Sequence, residues 1–426
     1  MPIKISLDSA IYRIILLLAF VTPLSTAAAS IAVGLGALFI IGYCLRTKTL
    51  PQFDANILKV LAAYMVCQIF IAASSWEPII SFREVFGELH RFFPLIFAMT
   101  FIKKREQLCG VMIASLSAFL INDAAGIYQY FVQGEPRAFG FNHTPTFYGS
   151  FMLIQIPLMI FIARLEFLSA TWRNVAIFCA GLSLICLVLS MTRGAWLAFV
   201  ATVILFVLLE KKYRRVVAKI FAGLTVAFVI VTMFSPKIQD RLSTMVSTKF
   251  QSNTERVLMW KSATEIFKDY PICGVGQKMF VEAYNEQYIS DEARERPGEI
   301  GRGHTHPHNN LLHRASEGGI VGLAAFVGLY AYFFWKFFTQ FQREKNIPFS
   351  AGITALLILA GLQLEGLTDT NMNQVPIMRE FWLLAGTLIA AEKIIEERRK
   401  TPYGDISRHL QPLKFSSIIR KKTDER

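Results

Sequence analysis

Residues 194–235 read GAWLAFVATVILFVLLEKKYRRVVAKIFAGLTVAFVIVTMFS, and this stretch decides the fold class. It contains two apolar runs, 194–210 and 216–235, which are separated by a short basic connection. A helix needs roughly 20 residues to cross the roughly 30 Å hydrocarbon core of a bilayer, which is close to the length of each run. Because lipid offers no partner to unpaired backbone groups, the stretch predicts two membrane helices joined by a basic turn.

The same alternation runs through most of the chain, whose 426 residues are 54% hydrophobic and 18% charged. An average soluble domain is about 25% charged. We therefore predict an all-α polytopic membrane protein with about twelve transmembrane helices. The predicted spans are 9–25, 28–45, 56–74, 85–102, 107–131, 146–164, 172–190, 194–210, 216–235, 311–340, 349–367 and 376–393.

Basic residues occur in every second connection between the predicted spans. The positive-inside rule places these connections and both termini in the cytoplasm. The formal net charge of +13 therefore reflects membrane topology and does not indicate a nucleic-acid partner. The basic connections carry Arg46 and Lys48, residues 103–105, Arg164 and Arg173, residues 211–215, and Arg343 and Lys345.

The remaining connections face the other side, which is the periplasm for a bacterial inner-membrane protein. One of them, 236–310, is a large loop. The predicted organisation is therefore nine spans in 1–235, a periplasmic loop in 236–310, three spans in 311–393, and a basic cytoplasmic tail in 394–426. Within the loop, residues 252–255 fit the S-x-x-E capping box, and apolar residues follow at helical spacing, which predicts an amphipathic helix.

Arginines in the outer connections depart from the positive-inside rule and are therefore candidates for anion binding. Arg193 lies in a tight turn between two spans, where it either snorkels to lipid phosphates or binds an anionic substrate. Arg256 lies near the start of the predicted loop helix, where the positive end of the helix and the guanidinium group would together attract phosphate. Alternatively, Arg256 is a peripheral residue of an interfacial helix. Arg137 precedes the turn that contains Asn142, and it is either a third anion contact or an ordinary loop residue.

Histidines gather where the long loop meets the tenth predicted span, at positions 304, 306, 308 and 313. Three interpretations are open: a metal site, solvated loop residues, or a general base, since imidazole accepts a proton near neutral pH. None of the six cysteines forms a CxxC pair, and there is no H-E-x-x-H pattern to support zinc. His308 precedes Asn309 and Asn310, either of which could cap the following helix.

Three short motifs resemble those of the bacterial O-antigen ligases and related O-oligosaccharyltransferases. His308-Asn309, nine residues, and then Gly319-x-x-Gly322 are similar to the pattern H-[NSQ]-x9-G-x-x-[GTY]. Residues 193–197 resemble the family's R-x3-L element, and residues 256–260 resemble a later arginine element. About twelve spans with a large periplasmic loop between the ninth and the tenth also match the family's layout.

The resemblance implies an inverting, GT-C-like glycosyl transfer that uses no metal or other cofactor. The donor would be a polysaccharide on undecaprenyl diphosphate, and the acceptor a sugar hydroxyl of lipid A–core. His308 would then be the catalytic base, and Arg193 and Arg256 would bind the donor diphosphate. Further candidates are Asn309, Gly319 and Gly322 as motif residues, and Arg137, Asn142, His306 and Asp369 as neighbours. Asp369 either orients His308, contacts a sugar, or is a solvated acid of the connection.

Three other functions are compatible with parts of this pattern. An O-antigen or exopolysaccharide polymerase shares both the motif and the lipid-linked donor. A protein O-oligosaccharyltransferase fits less well, because those relatives often carry an additional C-terminal periplasmic domain. A polysaccharide transporter or flippase would be expected to place ionisable residues at mid-membrane, whereas the candidates here gather at one face.

Overall fold

The structure, a computed structural model, describes residues 6–142, 144–244, 251–294, 306–345, 347 and 349–400. Every regular element in this part of the chain is helical. A π-helical turn, Tyr284–Tyr288, and a 3₁₀ turn, Asn371–Asn373, supplement the α-helices. These are α1 (Leu7–Val21), α2 (Thr26–Thr47), α3 (Ala55–Ala73), α4 (Pro78–Phe101), α5 (Arg105–Phe131), α6 (Pro145–Arg164), α7 (Ala170–Leu189), α8 (Arg193–Leu209), α9 (Arg214–Phe234), α10 (Pro236–Ser243), α11 (Gln251–Asp269), α12 (Phe280–Ala283), α13 (Asp291–Arg294), α14 (Asn310–Arg343), α15 (Ala351–Glu365) and α16 (Val375–Lys400).

Each predicted span overlaps one of the twelve helices α1–α9 and α14–α16. Among the described residues, seven helices are long and apolar enough to cross a membrane, namely α2, α3, α5, α6, α7, α9 and α14. Helices α8 and α15 are apolar but shorter. The all-helical, polytopic membrane character is thus confirmed, whereas twelve crossings stay a prediction.

The apolar core of the bundle is built mainly from the inner faces of α1, α4, α5, α6, α15 and α16. By contrast, α9 has no buried residue, and large apolar side chains such as Val226 and Phe234 point outward. Outward apolar surface is what a helix in lipid requires, since hydrocarbon takes the place of a protein partner. The most buried helices therefore frame the interior, and α9 lies at the rim.

The segment after α9 folds into a second, smaller core. Met259, Ala263 and Ile266 of α11 are buried there against Phe280 and Tyr284. The first three belong to the predicted apolar stripe, so the helix expected within the loop is α11. This core packs on the beginning of α14, with Leu312 at the contact.

Helix α14 is broken at Gly319, whose φ of 57° and ψ of −155° are not helical. Backbone groups freed by the break pair with the segment 271–276. Ile320 N donates to Pro271 O (2.7 Å) and Val321 N to Ile272 O (3.1 Å). In return, the backbone N–H groups of Val275 and Gly276 donate to the carbonyls of residues 316 and 317. These bonds join the loop to the helix, because buried backbone groups must find partners.

A buried ion pair joins α14 to α4 close to this break in α14. Arg314 Nη2 lies 2.8 Å from Glu88 Oε1, and the Tyr64 hydroxyl donates to the same oxygen at 2.7 Å. Both charged side chains are almost fully buried. Removing one partner of such a pair leaves an uncompensated charge in the interior. The contact therefore aligns the start of α14 with the helices around it.

We predict that Gly319→Ala destabilises the protein, because a Cβ at this position would collide with the Ile272 carbonyl and the backbone lies in a region that only glycine adopts readily. The free energy of unfolding should fall by about 1–3 kcal/mol. Thermal unfolding in detergent measures this loss. Gly328→Ala in the same helix is the matched control, since a Cβ added there would meet nothing within 4 Å. Equal stability of the two variants would contradict the prediction.

Candidate functional site

His308 stands two residues before α14, and its side chain faces Asp369 in the connection between α15 and α16. His308 Nδ1 lies 3.2 Å from Asp369 Oδ1. The histidine side chain is 25% exposed and the aspartate side chain only 7%, so the imidazole can meet a substrate while its partner is screened from water. The backbone of His308 has a φ of 48°, in the left-handed region that non-glycine residues adopt mostly at turns and functional sites.

The turn that carries His308 is held by the two asparagines after it. Asn309 caps α14, since its side-chain oxygen accepts from Leu311 N (2.9 Å) and Leu312 N (3.0 Å). Its amide group donates to Leu367 O. Asn310 adds a backbone bond to Gly366 O at 2.7 Å and a side-chain bond to Asn371 at 2.9 Å. The α15–α16 connection is thereby docked against the turn, which explains why Asp369 reaches His308.

The electrostatic environment of Asp369 indicates which side chain of the His308–Asp369 pair carries the shared proton. Burial alone would raise the pKa of Asp369, but the hydrogen bond with His308 and the electrostatic interaction with the His308 and His306 side chains hold it below its ordinary value. An ionised carboxylate only accepts hydrogen bonds, so His308 Nδ1 is the donor. In the neutral imidazole the lone pair then lies on Nε2. This is the arrangement of a general base that is oriented by a carboxylate.

His306 lies directly beside this pair, with its ring centroid 4.5 Å from that of His308. Burial, together with the nearby imidazoles of His308 and His313, lowers the pKa of His306 far below its usual range, so this side chain is neutral. His313 faces Glu317 one turn further along α14, with 3.1 Å between Nε2 and Oε2. His304 of the same cluster lies outside the described residues.

Four arginines line a cavity of about 270 Å³, hereafter the arginine cavity: Arg137, Arg193, Arg241 and Arg256. They come from the α5–α6 connection, the first turn of α8, α10 and α11. The rest of the lining is Thr146, Thr192, Gly194, Glu365, Thr368 and Asp369. Since Asp369 belongs both to this lining and to the His308 pair, the two features form one site. Four guanidinium groups around one cavity suit a small anionic group.

Neutral oxygen atoms anchor three of the guanidinium groups. Arg193 donates to Thr244 O (2.6 Å) and Asn253 Oδ1 (2.9 Å). Arg137 donates to Ser190 O (2.9 Å), and Arg241 to Met191 O (2.9 Å). These acceptors carry no net charge, so these hydrogen bonds do not themselves neutralise the guanidinium groups. Four arginines against the two acids of the lining, Glu365 and Asp369, give the cavity a positive balance.

The arginines also weaken each other's charged state. Burial has the largest effect on Arg137, and together with the charges of Arg241, Arg193 and Arg256 it lowers the pKa of this group to about 10. Burial and Arg256 likewise lower the pKa of Arg241. Like charges near each other disfavour ionisation, and a bound anion relieves this repulsion. The cavity is thus poised to take up negative charge.

The structure brings together most of the candidates named from the sequence. Arg137, Arg193, Arg256 and Asp369 line one cavity, and His308 and His306 adjoin it. Gly319 lies at the break in α14 against Ile272 of the loop, Gly322 lies close to Ile71 of α3, and neither glycine lines the cavity. Asn309 positions the turn, and Asn142 lines a different cavity.

Sequence reasoning missed Arg241 and Glu365, which also line the cavity. Arg241 is one of many basic residues in the long loop, where the positive-inside rule gives no contrast. Its place in a short helix directly after a span was the available signal. Glu365 lies near the end of a predicted span and is hidden by the apolar residues around it. An acid at the end of an apolar run on the outer side could have pointed to it.

One group among the described residues has the composition of a metal site. Donor atoms of His306, His308 and Asp369 lie within 4.8 Å of one another. Two imidazoles and a carboxylate match the ligand types of three-ligand catalytic zinc sites. The geometry therefore keeps the metal interpretation open beside the general base, and a chelator distinguishes the two.

Comparison with known proteins gives one family. The model of the family described as O-antigen ligase matches residues 178–327. This match confirms the resemblance predicted from the motifs, and the matched region contains Arg193, Arg256 and His308. Members of the family are glycosyltransferase-like enzymes that act on lipid-linked glycans in bacterial membranes. No curated protein matches the sequence.

We predict that Arg241→Gln weakens binding of inorganic diphosphate to the purified protein. Loss of a hydrogen bond between charged groups costs about 1.5–3 kcal/mol, or roughly 10- to 100-fold in Kd. Lys237→Gln is the matched control, because it removes the same charge from an exposed position on the same short helix. Titration calorimetry in detergent at fixed salt measures both variants. Equal losses of affinity would mean that only net charge matters and would contradict the prediction.

Proposed function

We propose, on the premise of the O-antigen ligase match over residues 178–327, that this protein transfers a polysaccharide from undecaprenyl diphosphate to a sugar hydroxyl of lipid A–core. One observation carries the proposal: the His308–Asp369 pair shares a wall with a cavity lined by four arginines. The reaction needs a base for a hydroxyl and cations for a diphosphate, and the two lie side by side.

The arginine cavity is the proposed diphosphate site. Arg193 and Arg256 bind the phosphate oxygens through their planar, forked donors, and Arg137 and Arg241 complete the positive lining. As the bond between the sugar and the diphosphate breaks, negative charge grows on the leaving group. Cations fixed in advance stabilise that charge more in the transition state than in the bound donor, which lowers the barrier. In this way the arginines do the work for which other transferases use a divalent metal.

His308 is the proposed catalytic base. Its Nε2 takes the proton from the acceptor hydroxyl while that oxygen attacks the anomeric carbon of the donor sugar. The bond from this carbon to the diphosphate oxygen breaks, and its electron pair leaves with undecaprenyl diphosphate. Asp369 is a positioning residue that keeps Nδ1 protonated and stabilises the imidazolium formed. Attack from the side opposite the leaving group inverts the configuration.

The predicted membrane topology supports this assignment. Arg137, Arg193, Arg241, Arg256 and His308 all fall in connections, or at their edges, that the positive-inside rule assigns to the periplasm. The proposed organisation keeps nine spans in 1–235, the periplasmic loop in 236–310, three spans in 311–393 and a cytoplasmic tail in 394–426. A donor whose lipid lies in the outer leaflet of the inner membrane would reach the arginine cavity without leaving the bilayer.

We predict that His308→Asn lowers kcat for transfer by about 10²- to 10⁴-fold, because asparagine tolerates the left-handed backbone and can bond Asp369 but cannot take a proton. The measurement is polymer-capped lipopolysaccharide formed by membranes that contain equal amounts of inserted protein. Wild-type activity should also persist in a chelator. Normal capping by the variant would refute the base assignment, and loss of wild-type activity with the chelator would favour a metal at His306, His308 and Asp369.

A polymerase that uses the same lipid-linked donor would need the same site, so the identity of the acceptor separates the two functions. We predict that deletion of the gene leaves long polymer on undecaprenyl diphosphate and uncapped lipid A–core, since polymerisation would continue without ligation. Single repeating units attached to core in the deletion strain would identify a polymerase instead. Gel profiles of lipopolysaccharide and of the lipid-linked fraction, with plasmid complementation as the control, give this readout.

A further inference from the structure

A second cavity, of about 240 Å³, also borders the first turn of α6 and is called here the neutral cavity. Thr146 lines the arginine cavity, and the next residue, Phe147, lines the neutral cavity. The α5–α6 connection makes the same division, with Arg137 in the first cavity and Asn142 in the second. The two cavities therefore border the same two segments, the α5–α6 connection and the first turn of α6.

The lining of the neutral cavity carries no charged side chain among the described residues. Residues 22–26 of the α1–α2 connection contribute hydroxyl groups, Asn142 contributes an amide, and Phe141, Phe147 and Pro376 contribute apolar surface. Phe141 is 52% exposed, which is high for an aromatic ring beside a cavity. A lipid tail would find too many polar groups here, and a phosphate would find no cation in this lining. A neutral ligand with both an apolar face and hydroxyl groups fits the lining.

Asn142 provides an independent sign of a ligand. The residue is 7% exposed, and its Nδ2 finds no hydrogen-bond partner among the residues that the structure describes. A buried donor without a partner is costly, and native structures usually satisfy it with protein, water or ligand. A ligand hydroxyl in the neutral cavity would accept this bond.

The frame around the cavity is fixed. Arg379 of α16 donates from Nη1 to Thr26 O at 3.1 Å, which ties the α1–α2 connection to the bundle. Ser25 accepts from Ala28 N at 3.3 Å, and this leaves the hydroxyl hydrogen of Ser25 to donate elsewhere. Preorganised polar groups bind with less loss of entropy than mobile ones.

We propose that the neutral cavity binds one uncharged sugar ring of a glycan substrate, with Asn142 bonded to a ring hydroxyl and Phe141 packed on the C–H face of the ring. This inference rests on the proposed glycosyl transfer, because the neutral cavity borders the same two segments as the arginine cavity, which would hold the donor diphosphate. The lining, with its hydroxyl groups, one amide and two aromatic rings, matches the polar and apolar surfaces of such a ring. The ring belongs either to the donor polysaccharide or to the acceptor core.

The test uses full-length protein in nanodiscs, with undecaprenyl-diphosphate-linked host glycan as the donor and host lipid A–core as the acceptor. We expect Asn142→Ala and Phe141→Ala each to raise the KM for one of these substrates about tenfold, with kcat within about twofold, because a binding contact is lost equally in the ground and transition states. Gln133→Ala is the control, since it removes an exposed amide from the same connection.

The outcomes separate the sources of the sugar and the two proposals. A rise in KM for the donor alone assigns the ring to the donor polysaccharide, and a rise for the acceptor alone assigns it to the core. Unchanged KM values in both variants, or a fall in kcat without a change in KM, overturn the sugar site. If Asn142→Ala does not fold, Phe141→Ala carries the test, because this ring is half exposed. Absence of transfer by the wild-type protein would instead refute the proposed function.

Discussion

Backbone groups cannot be left unpaired inside a membrane protein, and this constraint determines how the loop and the bundle fit together. The break at Gly319 frees donors and acceptors of α14, and the segment 271–276 satisfies them in register. This segment follows α11 almost directly, and α14 begins two residues after His308. A single set of backbone bonds therefore sets the position of Arg256 relative to His308, although the two residues lie far apart in sequence.

The site brings four arginines together in one cavity, and their number exceeds that of the two acids in the same lining. Carbonyl and amide oxygens accept hydrogen bonds from Arg137, Arg193 and Arg241. Because the guanidinium groups are buried around one cavity, their positive charges repel one another. Such an arrangement raises the affinity for an anion, because binding removes repulsion that the free protein carries. Beside it, the pairing of His308 with buried Asp369 keeps one imidazole nitrogen available for a proton.

Much of the site could be predicted from the sequence because its residues differ in charge from the neighbouring residues or belong to a motif with fixed spacing. Arg193 stands out as a cation in an outer turn between apolar spans, and His308 stands out through the spacing to Gly319 and Gly322. Arg241 offers no such contrast, since the long loop contains many basic residues, and Glu365 is hidden at the end of a span. Gly319 shapes the contact between loop and helix, Gly322 lies close to Ile71 of α3, and neither of these motif glycines lines the cavity.

The sequence by itself determined the all-helical membrane class, the predicted orientation and the family resemblance, because these depend on local composition, charge alternation and short spacings. Only the tertiary structure decided that four arginines from four separate segments share one cavity, that Asp369 is the partner of His308, and that a neutral cavity adjoins them. These are contacts between residues distant in the chain. They arise from helix packing and from the backbone bonds at Gly319, which no local pattern encodes.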